Sequence, residues 1–535
     1  MKLSIVKICA PLLACMLVSG TTVASAYNAN PKLVVIIVID QFRPDFLERA
    51  RDQLGPSGFR LLTERGAFFT DCYYDYMNTE TGPGHATLFT GTYSNAHGIA
   101  ANQWWDDQHP ACQDKSHMVT SVCDDATQLV GPGVSGPGAS PHNLLSDTLG
   151  DELKLATDGA SRVFSVSFKD RAAVLPGGFA ANGAFWIDHK TGAWISSTFY
   201  LQQLPAWVQQ FNASGKADGY WNREWRDARG AVLRKTTRGS ADFYETVGAT
   251  PFGNDYEFDF ARELVEQEKL GEGPATDLLA LSLSPPDILG HKTGPNSPEV
   301  KAMVLALDRQ LADFFSFLGR RVGLANVWIV ISADHGISPV PAYAHSLRLP
   351  ATALDPAKLK SDLNAAIASR LHHAGNYVEG HDGEYLFLSE SAFKAAGISS
   401  EGEAEQLAGQ ALAALGVRSY VSRTQLASGA LPHDQAGRQW LHSYSSYGGW
   451  YIVMVPAPYT FLWDSRTGTT HGSSYRYDQH VPLAFFGLPF QAGVYRGRCE
   501  PVDMAATLSS LLGINPPNRA AGRVLTEAVR RENTR

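Results

Sequence analysis

Cysteine is scarce in this sequence. Its 535 residues hold six, and no two stand in a Cys-x-x-Cys pair. That missing spacing argues against a thiolate zinc site or a dithiol redox centre. Runs of like charge are missing too. Lys and Arg total 45 against 53 Asp and Glu, a formal net charge of −8 with no basic stripe. Such a chain is not expected to partner nucleic acid or an anionic membrane. It shows no internal repeat and no low-complexity tract, which sets aside solenoids and disordered linkers. Beyond the first residues, no apolar stretch is long enough to cross a bilayer.

What is present begins with an address. Lys2 and Lys7 precede an apolar or small stretch from Ile8 to Val23, and Ala24-Ser25-Ala26 gives a small-x-small cleavage pattern. Residues 1–26 therefore read as an export signal, with 27–535 the mature chain, periplasmic or secreted. Removing the signal takes two Lys and no acid, so the mature charge is −10 (−8 minus 2). Leu12-Leu13-Ala14-Cys15 supports a rival reading, a lipoprotein tethered through Cys15. Outside the signal remain Cys72, Cys112, Cys123 and Cys499, an even number in an oxidising compartment. The expectation is a Cys112–Cys123 loop clip and a Cys72–Cys499 tie.

Short, nearly unbroken apolar runs recur, each followed at once by polar residues. Leu33 to Ile39 ends at Asp40, Arg162 to Phe168 at Lys169-Asp170-Arg171, and Val327 to Ser332 at Asp334-His335; Leu278 to Leu283 precedes Asp287. Their length and β-branched content predict strands buried on both faces. Between them, Glu299 to Leu318 places Val300, Val304, Leu307, Leu311 and Phe314 on one helical face. The expected fold is α/β, a mostly parallel central sheet flanked by helices, with ligands binding outside the carboxyl ends of the strands. Two stretches break the alternation, at about 177–250 and 340–459. We read them as insertions that cap the site, the first with a hairpin at Phe185–Ile195, the second with a helix at Pro356–Leu371.

The polar residues at the strand ends carry the chemistry. Taken alone, Asp40 reads as a helix N-cap. Asp287 and His291, four apart, share a face if the segment is helical, although Gly290 argues against an ideal helix. Asp334-His335 needs a turn before both can reach one site. Either His471 or His480 supplies a late imidazole, and His480 leads into a strand where packing is an equal reading. Thr81, in Thr81-Gly82-Pro83-Gly84-His85 before a helix, suits both an N-cap and a phosphate-binding nucleophile. Together these carboxylates and imidazoles suit two zinc ions, which would clamp the attacking and leaving oxygens of an in-line displacement.

The blocks VIIVIDQFRPDFL, TGPGHATLFTGTYSNAHGIAANQWWD, SFKDRAAVLPG, LSPPDILGHKTGPNS, ISADHGI and THGSSYRYDQHVPL resemble the alkaline phosphatase superfamily, and within it the PafA-type secreted phosphatases with a threonine nucleophile. The resemblance spans nearly the whole mature chain. It implies that Asp287, His291 and His471 bind one zinc, while Asp40, Asp334, His335 and the Thr81 hydroxyl bind the other. It also implies that Asn102, Lys169 and Arg171 hold the phosphoryl oxygens. The expected activity is zinc-dependent hydrolysis of small phosphate monoesters through a covalent phosphothreonine, for broad phosphate scavenging, by a monomer. The alternatives are a phosphodiesterase or phosphonate hydrolase of the same superfamily, and a non-catalytic metal- or phosphate-binding relative.

Overall fold

The computed structural model describes residues 30–530 except 107, 115–116, 240–241 and 464–466. The expected export signal and Cys15 lie outside the described residues. Eleven strands form the central sheet: β1 (Leu33–Ile39), β2 (Ala67–Tyr73), β3 (Cys123–Val130), β4 (Pro137–Ala139), β5 (Val163–Ser167), β6 (Gly183–Ile187), β7 (Trp194–Ser197), β8 (Asp277–Leu283), β9 (Val327–Ser332), β10 (His480–Phe486) and β11 (Gly493–Tyr495). Their order is β11-β2-β10-β9-β1-β8-β5-β6-β7-β3-β4. The middle five, β9-β1-β8-β5-β6, are parallel, and antiparallel pairs flank them.

The apolar runs read from the sequence are the middle strands. All of β1 is at most 1% exposed, and burying a side chain of that kind contributes about 1.5–3 kcal/mol before entropy is counted. Parallel register then aligns the strand ends. Ile39 pairs with Leu283 and Val38 with Ser332, while Ser282 pairs with Ser167. Asp40, Asp287, Asp334 and Lys169 consequently all emerge at one edge.

Four helices matter to the site: α1 (Thr81–Thr90), α2 (Asp170–Gly177), α3 (Pro285–Thr293) and α4 (Pro298–Arg321). Every residue of α1 is buried. In α4, Ser297 caps the first turn by accepting from the Val300 N–H, and the five face residues predicted from spacing are all buried. Residues 183–197 form a hairpin that extends the main sheet. Residues 340–459 hold a separate four-stranded sheet, Val378–Asp382, Tyr385–Leu388, Trp450–Val455 and Ser419–Ser422 in spatial order. That sheet has its own apolar core around Leu363, Ile367, Phe393, Leu412 and Ile452.

Cys112 and Cys123 form the expected disulfide, with Cα atoms 5.8 Å apart. The Cys72–Cys499 bond is a correction. The two residues face each other across a bridge between neighbouring strands, but as buried thiols. The backbone holds them together here without a covalent link, through the Cys499 N–H to the Asp71 carbonyl and the Tyr73 N–H to the Cys499 carbonyl.

Candidate active site

Asp40, at the end of β1, caps no helix. Its carboxylate is fully buried, with Oδ2 2.6 Å from Lys169 Nζ. The same ammonium lies 2.6 Å from Asp287 Oδ2 and 3.2 Å from Thr81 Oγ1. Thr81 opens α1, yet its hydroxyl makes no capping bond. It is turned into the carboxylate cluster instead. Against burial, which pulls a lysine down, Asp287 and Asp40 raise the Lys169 pKa well above its ordinary value.

Asp287 and His291 do share a helical face, on α3. His291 Nε2 is 3.1 Å and His471 Nε2 3.7 Å from Asp287 Oδ1. The glycine that made this helix doubtful has a reason. A side chain at Gly290 would overlap Gln41 Oε1. Gln41, with φ of 65°, sends its Nε2 to Asp287 Oδ1 at 2.5 Å and its backbone N–H to Asp334 Oδ1 at 3.0 Å. Sequence reasoning passed over Gln41, and its only signal was its place beside Asp40.

His335 faces two carboxylates, its Nε2 3.4 Å from Asp40 Oδ1 and 3.6 Å from Asp334 Oδ2. Burial opposes its charge, but Asp334 and Asp40 raise its pKa to about 9. His471 stacks on it with ring centroids 3.6 Å apart. His480 is elsewhere, stacked on Tyr73 with its Nε2 at the Thr70 carbonyl.

The three imidazoles share one arrangement. Nδ1 of His291, His335 and His471 meets the backbone carbonyl of Thr469, Gly336 and Thr79, at 2.9, 2.9 and 2.7 Å. A carbonyl accepts a proton bond, so each ring in its neutral form carries its proton on Nδ1 and offers the Nε2 lone pair, as a metal ligand does. Asp40 Oδ1, Asp334 Oδ2 and His335 Nε2 are buried without hydrogen-bond partners. Buried polar atoms are rarely left so, and these suit a divalent cation. Asp287, His291 and His471, and separately Asp40, Asp287 and His335, place one donor atom each within 4.8 Å of one another.

Asn102 and Arg171 complete the surroundings. Asn102 Oδ1 accepts the Gly82 N–H at 2.8 Å, which leaves its Nδ2 as a donor beside Thr81. Arg171, in α2, has a buried Nε with no partner, and its NH1 is 3.8 Å from Asp170. His85 was not picked out from the sequence. It lies under Thr81 with Nδ1 2.8 Å from the Thr81 carbonyl and Nε2 2.8 Å from Ser282 Oγ, and burial drops its pKa to about 4. A neutral His85 thus ties α1 to β8. Beside the site opens a cavity of about 630 Å³, lined by His291, His471 and Asn102 from the floor and Lys360, Asp382 and Trp463 from the wall.

Carboxylates and imidazoles at the carboxyl edge of a parallel sheet, around a hydroxyl at a helix start, define the site of a metal-assisted hydrolase. Residues 34–399 match the type I phosphodiesterase / nucleotide pyrophosphatase family, and the chain belongs to that family, in the alkaline phosphatase superfamily, alongside the PafA-type alkaline phosphatases. It is 32% identical to alkaline phosphatase PafA of Elizabethkingia meningoseptica over 97% of this chain and 99% of that one. It is also 32% identical to a protein named calcium-transporting ATPase from Myroides odoratus, over 96% and 98% of the two chains. The solved structure of PafA superposes with a TM-score of 0.83 at 30% identity, covering 94% of this chain and 99% of that one.

Proposed function

We propose that this chain is an exported, zinc-dependent phosphate monoester hydrolase that acts through a covalent phosphothreonine on Thr81, with small monoesters of broad kind as substrates. One observation carries the reading: Thr81 Oγ1, Lys169 and the carboxylates of Asp40 and Asp287 converge on a single buried point. The alkaline phosphatase names of its relatives point the same way. A PafA variant of known structure was altered at a threonine, an asparagine, a lysine and an arginine, the residue types gathered here as Thr81, Asn102, Lys169 and Arg171.

Two zinc ions, one held by Asp287, His291 and His471 and the other by Asp40, Asp334, His335 and the Thr81 hydroxyl, would supply the positive field that lowers the hydroxyl pKa and neutralises the transferring group. The Thr81 oxygen forms the new bond to phosphorus as the bond to the leaving alcohol breaks, and water then cleaves the phosphothreonine. Asn102 Nδ2, Lys169 and Arg171 bind non-bridging oxygens, where charge is spread in the transition state. The rest of the site orients: Gln41 fixes Asp287 and Asp334, and backbone carbonyls fix the imidazoles.

The family description also names diesterases. Two cations, Lys169 buried and Arg171 half-buried, favour the monoester, since a diester replaces one charged oxygen with a bulky group. Turnover of an aryl phosphate and its methyl diester by the zinc-loaded protein tests this. We expect the monoester ahead by about 10²-fold or more, the scale set by a lost charge-stabilising contact. A diester preference would move the chain to the diesterase branch. The Thr81→Ala protein should bind zinc and lose turnover, and activity within a few-fold of the parent would rule out the covalent route.

A further inference from the structure

Glu80 and Asp382 are two acids lining the same cavity that the chemistry above does not use. Glu80 immediately precedes Thr81. Asp382 ends the Val378–Asp382 strand, at the tip of a hairpin in the 340–459 region. Burial and the neighbouring Glu80 push the Asp382 carboxyl well above its ordinary range.

Each acid also grips the loop that carries Asn102. Glu80 Oε2 accepts the Asn102 N–H at 3.0 Å, and Asp382 Oδ2 accepts the Gln103 N–H at 2.9 Å. Asn102 closes the circuit by accepting the Gly82 N–H. The hairpin tip fits closely against the segment that leads into α1. Gly383 has φ of 49°, and a side chain there would overlap Asn78 Oδ1 and Glu80 Oε1. Arg171 lies within electrostatic reach of both acids.

We propose that Asp382 is a positioning residue: through the Gln103 N–H it fixes the neighbouring Asn102 at the start of α1, so a residue of the 340–459 region sets the phosphate pocket. This rests on the monoesterase reading for Asn102 and Thr81. Asparagine at 382 can still accept from the Gln103 N–H, whereas alanine cannot.

The test compares Asp382→Ala, Asp382→Asn and Gly383→Ala in the zinc-loaded full chain. It measures kcat/KM for an aryl phosphate and inorganic phosphate affinity by calorimetry, with zinc content and Tm as controls. We expect Asp382→Ala and Gly383→Ala to lose about 10–100-fold in both readouts, the scale of a misplaced oxyanion donor, and Asp382→Asn to stay within about threefold. Asp382→Ala within threefold of the parent would overturn the proposal. So would equal loss in the Asn and Ala variants at parental zinc content and Tm. If the parent itself turns over no monoester, the functional reading fails, and phosphate affinity still decides the role of Asp382.

Discussion

At the carboxyl ends of β1, β5, β8 and β9 the protein buries carboxylates, imidazoles and an ammonium, several of whose atoms find no partner among the described residues. The 340–459 region buries aliphatic and aromatic side chains around Leu363, Ile367 and Ile452, and brings its acids to a hairpin tip. The first arrangement costs stability, because desolvated charge is expensive even when paired. The second contributes stability through packing. The floor gains its shape from a sheet whose register it does not control, and the overhanging region supplies its own rigidity and presents a few polar atoms to the cavity. Chemistry is concentrated at the edge of the central sheet, and access is shaped by a region whose sheet packs one face on its own core and the other against the body that carries α1.

Four perturbations would sharpen or break that contrast. Metal removal should act wholly on the floor: chelation should lower turnover by about 10³-fold or more, and zinc should restore it. Activity indifferent to a chelator would leave the orphaned ligand atoms unexplained. Next, Arg171→Ala should cut monoester kcat/KM by about 10²-fold and the methyl diester less, and equal losses would remove its role in reading charge. Within the overhanging region, Ile452→Ala should cost about 2–5 kcal/mol through cavity formation, seen as an earlier urea transition, while zinc content holds. Zinc lost in step would show that the two bodies unfold as one.

The smallest effect lies at the seam. Asp75 follows β2, and Arg438 from the overhanging region reaches it, Nε to Oδ2 at 2.5 Å. Burial alone would raise its pKa; bonds from His442 and Arg438 bring it from 3.8 to about 2. A depressed carboxylate contributes stability above its unfolded pKa and loses it as pH falls through the folded one. The parent should therefore weaken between about pH 4 and pH 2. Asp75→Asn should flatten that fall by about 1 kcal/mol, discounted because Arg438 is half exposed. Parallel acid melting curves for the two proteins would contradict the pairing.

Much of this was legible in the residues. The β1 and β9 bounds match the apolar runs, because a strand buried on both faces has no choice of residue type. The Pro356–Leu371 helix and the 185–195 hairpin were readable from local chemistry. Asp334 and His335 emerge together because the chain leaves β9 irregularly. What stayed hidden depends on pairing across distance. No local pattern says that β2 and β10 run antiparallel beside β9, that Gln41 needs the space at Gly290, or that Glu80 meets an acid some three hundred residues away. The Cys72–Cys499 tie failed in a different way. Proximity was foreseen, but adjacent backbone does not oblige two sulfurs to bond.

Helix α1 has no face to solvent along its whole length. A helix gripped on all sides behaves as a rigid lever: a change of volume at any of its positions is transmitted to the hydroxyl at its end. A substitution within that helix therefore reaches the Thr81 hydroxyl, whereas one in the overhanging wall reshapes the cavity and leaves that hydroxyl in place.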